Sequence, residues 1–176
     1  MIRPRGFAAA LATFALLAAL PAGAQPTPAA PPQGSPEQQR TITDLRNVGT
    51  AMFVWYKDQL KIHPKGKTEK EKVEPESRPA FDRIPAISHD DLAKLLVPTY
   101  IAAIPEKDGW GHPYEFHLNT TDLHANSIMG LRSPGRDGRF SGDSYEVSAF
   151  PQEDQDQDIA WMNGYFVRWP RPEKHP

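Results

Sequence analysis

The densest chemistry in this 176-residue sequence lies between Phe140 and Trp161, where six acids (Asp143, Glu146, Glu153, Asp154, Asp156 and Asp158) occur with no lysine or arginine. Asp154, Asp156 and Asp158 alternate, and in an extended chain residues two apart point the same way. Three carboxylates on one side repel one another unless a cation sits between them. Hard oxygen donors favour calcium, which takes about six to eight oxygens at roughly 2.3–2.6 Å. Asp137, in a Gly-Arg-Asp-Gly turn, would bring a carboxylate from the other side of the same loop. The pattern is not an EF-hand: Ile159 stands where the turn glycine is needed, and Tyr165 where the bidentate glutamate belongs. The competing reading is a hydrated acidic surface loop, and charge alone leaves both standing.

Acid–base and nucleophilic chemistry finds less support. His112, His117 and His124 fall near the predicted strands, and Glu115 and His117 would share one strand face. A metal or general-base site is conceivable there, but an ordinary polar pair explains the same residues. No His-Glu-x-x-His spacing occurs, Ser133 is not in a Gly-x-Ser-x-Gly elbow, and no glycine-rich phosphate loop is present. Nothing apolar surrounds the acids at 154–158 that would raise one carboxyl as a catalytic pair requires.

The elements that must position these groups follow from periodicity and caps. Ser35 is a candidate N-cap, with Pro36 at the first helical position and Gln38 at the capping-box position. Ile42, Leu45, Gly49, Met52 and Tyr56 then form an apolar stripe, which predicts a helix of about six turns ending near Gln59 or Lys61, before Pro64. Residues 61–79 are mixed in charge and read as a solvated loop. Ser88 and Asp91 cap a short second helix carrying Leu92, Leu95 and Leu96, stopped by Pro98. Past residue 105 the pattern turns to short strands: Tyr114 to Leu118, Ser127 to Leu131, and Tyr165 to Trp169. Trp161, Phe166 and Trp169 read as core or as an aromatic edge, with core the default. The fold class is α+β: a long N-terminal helix on a small three- to four-stranded antiparallel sheet, with one additional short helix.

The N-terminus carries an export signature. Arg3 and Arg5 precede an apolar run from Phe7 to Leu20, Pro21 ends it, and Ala22-Gly23-Ala24 offers a peptidase site, with cleavage expected after Ala24. The run is shorter than the roughly 20 residues of an ordinary spanning helix. No stable membrane span is expected after cleavage. Residues 25–35 form a Pro/Ala-rich linker, residues 36–170 the domain and residues 171–176 a tail. The formal net charge of −2 falls to −4 once Arg3 and Arg5 leave, which argues against a nucleic-acid partner. With no cysteine, an exported chain must find cohesion other than disulfides.

One set of motifs points further. Residues 96–114 read LVPTYIAAIPEKDGWGHPY, then come Ser133-Pro134-Gly135-Arg136-Asp137-Gly138 and Asp158-Ile159, with a final Asn163 to Trp169 segment. In this order, over about residues 36–169, the set resembles the C-terminal domain of the G-type major pseudopilin of type II secretion systems. The resemblance implies a calcium-binding loop between the last strands. Carried over, its ligands are the carboxylates of Asp137 and Asp158 and main-chain carbonyls near Pro134 and Arg139. The family's first Asp of Asp-Asp-Ile falls here on Gln157, so Asp156 is the substitute. Pseudopilins also have a Gly-Phe cleavage point and a glutamate five residues later; Gly6-Phe7 is present, but Leu11 replaces the glutamate and Pro21 interrupts the apolar helix. A mature start at Gln25 means a released soluble domain, and a start at Phe7 a filament subunit.

The functional expectation is a non-catalytic, periplasmic or secreted pseudopilin-like module, calcium-stabilised, with protein partners among secretion or pilus-like components. The alternative is a secreted enzyme or ligand-binding module sharing only the fold, which would need a pocket built on residues such as His112 or His117.

Overall fold

A computed structural model describes residues 34–62 and 78–171, all within one compact unit. The leader, linker residues 25–33, residues 63–77 of the solvated loop and residues 172–176 of the tail lie outside the described residues. Helix α1 spans Pro36–Ile62. Its start is a reciprocal capping box: the Gln38 amide N–H donates to Ser35 Oγ, and the Ser35 N–H donates to Gln38 Oε1, both at 3.2 Å. A 3-10 turn at Phe81–Arg83, strand β1 at Ala86–Ile87 and helix α2 at His89–Leu96 follow. Ser88 caps α2 by accepting from the Asp91 N–H. The remaining strands are β2 (Glu115–Leu118), β3 (Met129–Ser133), β4 (Ser148–Pro151), β5 (Ile159–Met162) and β6 (Tyr165–Arg171).

The α+β class holds, but the sheet is larger and less regular than three or four antiparallel strands. It has six, in the order β1-β2-β3-β5-β6-β4, and β4 runs parallel to β6 while every other pair is antiparallel. The added strands β1, β4 and β5 have two, four and four residues, too short to show a period. The long helix also begins 35 residues into the chain, at Pro36, so it is not an N-terminal helix in the strict sense. Among the described residues no helix is long and apolar enough to cross a membrane.

The central strands are covered on both faces. Phe116, Leu118, Met129, Leu131, Ile159 and Trp161 join one buried cluster with Leu45, Val48 and Met52 of α1 and Leu92 and Leu96 of α2. A Cβ on Gly49 would lie 2.7 Å from the Trp161 ring, so this glycine lets α1 settle onto β5. On the opposite face Ala160, Met162 and Val167 pack with Phe81, Ile84 and Tyr145. Backbone bonds from Phe81 N–H to the Asp143 carbonyl and from Tyr145 N–H to the Pro79 carbonyl tie the two covering segments together.

The Asp-Gly-Trp-Gly turn fastens the start of α1 to the sheet. Buried Asp108 accepts from the Trp110 and His112 N–H groups with one oxygen and from Ser133 Oγ, at 2.6 Å, with the other. Gly109 donates to Thr41 Oγ1 at 2.9 Å.

Helix α2 is tethered by His89, whose Nε2 donates to the Ile104 carbonyl at 3.0 Å. That bond, chiefly, raises the His89 pKa above its ordinary value, with Asp90 adding to it. A raised folded pKa gives stabilisation that is complete below about pH 6.5 and fades as pH rises through the folded value. The gap in denaturation midpoint between wild type and His89→Gln is therefore expected to be wider near pH 5.5 than near pH 8.5, on either side of about 6.5. An equal gap at both would remove His89 protonation from the account.

Candidate functional site

The acidic region forms two levels. Asp158, at the start of β5, is the buried level, only 1 % exposed. Its Oδ2 accepts from the Ser141 N–H (2.9 Å), Ser141 Oγ (2.6 Å) and the Tyr145 hydroxyl (2.8 Å). Its Oδ1 is buried and no hydrogen-bond donor reaches it among the described residues. Burial, and then the charge of Asp158, push the Tyr145 hydroxyl well above its usual pKa, so it remains a donor.

The outer level is solvent-facing. Arg136 grips Asp156 with two bonds, Nε to Oδ1 at 2.8 Å and Nη2 to Oδ2 at 3.0 Å. Hydrogen bonding from Arg136 holds the Asp156 carboxyl below the usual carboxylate range. Asp154 accepts from Gln157 Nε2, Gln157 Oε1 accepts from Arg168, and Arg168 also donates to Ser148 Oγ in β4. Asp137 is exposed and its Oδ1 accepts from the Arg139 N–H, closing its own turn. Pro134 is buried and Arg139 exposed. The turn between them uses Gly135 and Gly138, both at positive φ. At Gly135 a Cβ would lie 2.6 Å from the Gln157 carbonyl oxygen and 2.8 Å from that of Gln155. The absent side chain thus lets this turn close tightly onto the 155–157 backbone.

Asp137, Asp156 and Asp158 therefore sit on one loop system at different depths and with different partners. As placed, no three His, Asp or Glu side chains among the described residues converge to hold a metal ion. The buried oxygen of Asp158, which no donor reaches, is the atom of this loop that a hard cation would satisfy. A cation would supply the positive partner that Oδ1 lacks, and carbonyl oxygens are ordinary calcium donors.

A second polar cluster lies on the sheet face opposite the helices. Arg132 of β3 is 3 % exposed. Its Nε and Nη2 donate to Glu115 Oε1 at 3.1 and 2.7 Å, Nη2 also to Asp143, and Nη1 to the Gly142 carbonyl and the Tyr145 hydroxyl. Phe140 and Phe81 lie on its guanidinium at 4.2 and 4.7 Å. Glu115 and His117 do share a strand face, as their spacing suggests, and meet at 2.5 Å; the other ring nitrogen of His117 donates to the Ile84 carbonyl. His112 instead meets the Arg136 carbonyl, and the His124 backbone bonds Asp122, so the three histidines serve three separate places. The missed residue is Arg132. Its signal was available: it is the one charge in Met-Gly-Leu-Arg-Ser, a strand otherwise without charge.

Compared with known proteins, the chain matches no family model, no curated protein and no solved structure.

Proposed function

We propose that this protein is an exported, non-catalytic module that works through protein–protein contact, built like the globular domain of a G-type major pseudopilin and stabilised by calcium in its 134–158 loop. The observation that carries this reading is the Asp158 carboxylate, buried with one oxygen unpartnered beneath an acid-rich loop. Asp158 would anchor the ion, with Asp137, Asp156 and main-chain oxygens near Pro134 and Arg139 completing its oxygen shell. The contacts of Glu115 and His117 support a structural use, since both are engaged by neighbours within the protein. Phe53 and Tyr165, partly exposed, line a hollow with Trp161 and Phe166 that offers apolar surface to a partner. The expected partners are components of a secretion or pilus-like machine, met in the periplasm or outside the cell, with no nucleic acid involved.

Thermal melts of the purified protein in 1 mM calcium and in EDTA test this. With calcium about a hundredfold above its Kd, linkage gives about 2.7 kcal/mol of stabilisation, a rise in Tm on the order of 5–11 °C. The rise is expected to vanish in Asp158→Asn and to shrink in Asp137→Ala. Identical wild-type melts in both solutions would leave the loop a solvated acidic segment and sink the calcium reading.

A further inference from the structure

We propose that the groove between α1 and β6 receives an extended segment of a partner protein in which an acidic residue stands midway between two large apolar ones, at i, i+2 and i+4, with its carboxylate on Arg46. This rests on the protein-contact part of the reading above and not on its calcium part.

The groove exists because the sheet is broader than the helix that covers it. Helix α1 packs chiefly on β3 and β5, with Gly49 against Trp161, and the sheet continues past it to β6 and β4. Two hollows, of about 350 and 450 Å³, lie along the resulting step. The first is lined by Trp169, Phe166 and Gln152, the second by Phe53, Tyr165 and Phe166. Phe53 and Tyr165 are 39 % and 50 % exposed, so apolar surface is left open to a partner.

Arg46 lines both hollows, and its guanidinium carbon lies 5.7 Å from the centre of the Phe166 ring. One cation thus stands between two apolar recesses. Arg132, Arg136 and Arg168 are each taken up by acids or amides of the protein, but no carboxylate or carbonyl among the described residues holds the Arg46 side chain. No acid lines either hollow, so a carboxylate brought by a partner meets the guanidinium fork without a rival.

The spacing sets the pattern of the occupant. On α1 the hollows are lined around positions 39–46 and 46–53. Their centres are about seven residues apart, roughly 11 Å at the helical rise. Along β6 the lining shifts by about three to four residues, roughly 10–13 Å. In an extended chain residues i and i+4 point the same way about 13 Å apart, with i+2 midway between them. Two apolar side chains so placed reach both hollows and present the central acid to Arg46.

Fluorescence anisotropy of a labelled peptide, Ser-Phe-Ser-Glu-Ser-Phe-Ser, with the full-length protein tests this. Wild type is expected to bind it with a Kd below about 1 mM, about three- to tenfold tighter than the same peptide with Gln for Glu, the range of an ion pair open to solvent. R46Q should bind both peptides alike, as weakly as wild type binds the Gln form. The compact peptide Ser-Ser-Phe-Glu-Phe-Ser-Ser, whose aromatic groups are too close to span the hollows, should also bind more weakly. Arg46 is exposed, so R46Q is expected to keep its fold, which circular dichroism checks. The change of Glu to Gln in the peptide reads the same contact on the unaltered protein. Equal binding of the Glu and Gln peptides, or of the spaced and compact ones, would overturn the inference. So would an absence of binding by wild type, while the melts in calcium and EDTA decide the calcium reading on their own.

Discussion

Arg132→Met is expected to lower the stability of this protein by about 3–5 kcal/mol, the range for removing one partner of a buried ion pair. The corresponding fall in Tm is on the order of 10 °C. The guanidinium reaches Glu115, Asp143, the Gly142 carbonyl and the Tyr145 hydroxyl from a position 3 % exposed. Methionine replaces its stem but none of its five bonds. The lower end of the range is the better expectation, because Asp143 is largely exposed and regains water once released. Glu115 is only partly exposed, keeps just His117, and becomes a poorly compensated charge. The 78–84 and 140–146 segments, which meet over Arg132, should loosen together. Chemical denaturation gives the value directly. A loss under about 1 kcal/mol would mean that burying the guanidinium costs nearly what its bonds return, and that Phe81 and Tyr145 hold this layer by packing alone.

The second large effect is expected at Gly109. A Cβ there would stand 2.2 Å from the Glu37 carbonyl oxygen and 2.5 Å from its Cα. These are helix backbone atoms, which cannot swing aside as a side-chain tip does. Overpacking usually costs about 1–3 kcal/mol, and Gly109→Ala belongs at the top of that range. The substitution would also pull the Gly109 N–H off Thr41, undoing the link between α1 and the Asp-Gly-Trp-Gly turn. Gly111, two residues on, is the matched comparison. It has φ of +93° and open space where a Cβ would go. Gly111→Ala carries backbone strain alone, about 1–2 kcal/mol. Equal losses at the two positions would assign the Gly109 effect to backbone conformation and not to contact with α1.

Local chemistry makes parts of this structure legible in the sequence. Ser35 with Gln38, and Ser88 with Asp91, signal helix starts because the side-chain-to-backbone bond spans only three residues. Strand β2 showed through the alternation of Phe116 and Leu118 with Glu115 and His117. Strand β4 was invisible for the opposite reason. Its four residues pair with a segment 20 positions later, in parallel, and nothing within Ser148–Pro151 announces that partner. The acids were legible as a set, but their division was not. Spacing shows that Asp154, Asp156 and Asp158 alternate; it does not show that Asp158 sinks beneath Tyr145 while Asp156 turns out to Arg136. The partners of Arg136 and Arg132 are not legible in the sequence, because a cation's role depends on which carboxylate the fold sets across from it.

The order of the strands has a consequence for self-association. Among the described residues the flanking strands of the sheet are β1, two residues long, and β4, four residues ending in Pro151, which has no N–H to offer. A donated strand or a stray second copy would find little unpaired backbone to zip onto, the condition that protects sheet proteins from fibrous aggregation. A chain without cysteines, expected to leave the cell's interior and to meet other proteins, is thereby guarded at the two places where a six-stranded sheet is most exposed to its own kind.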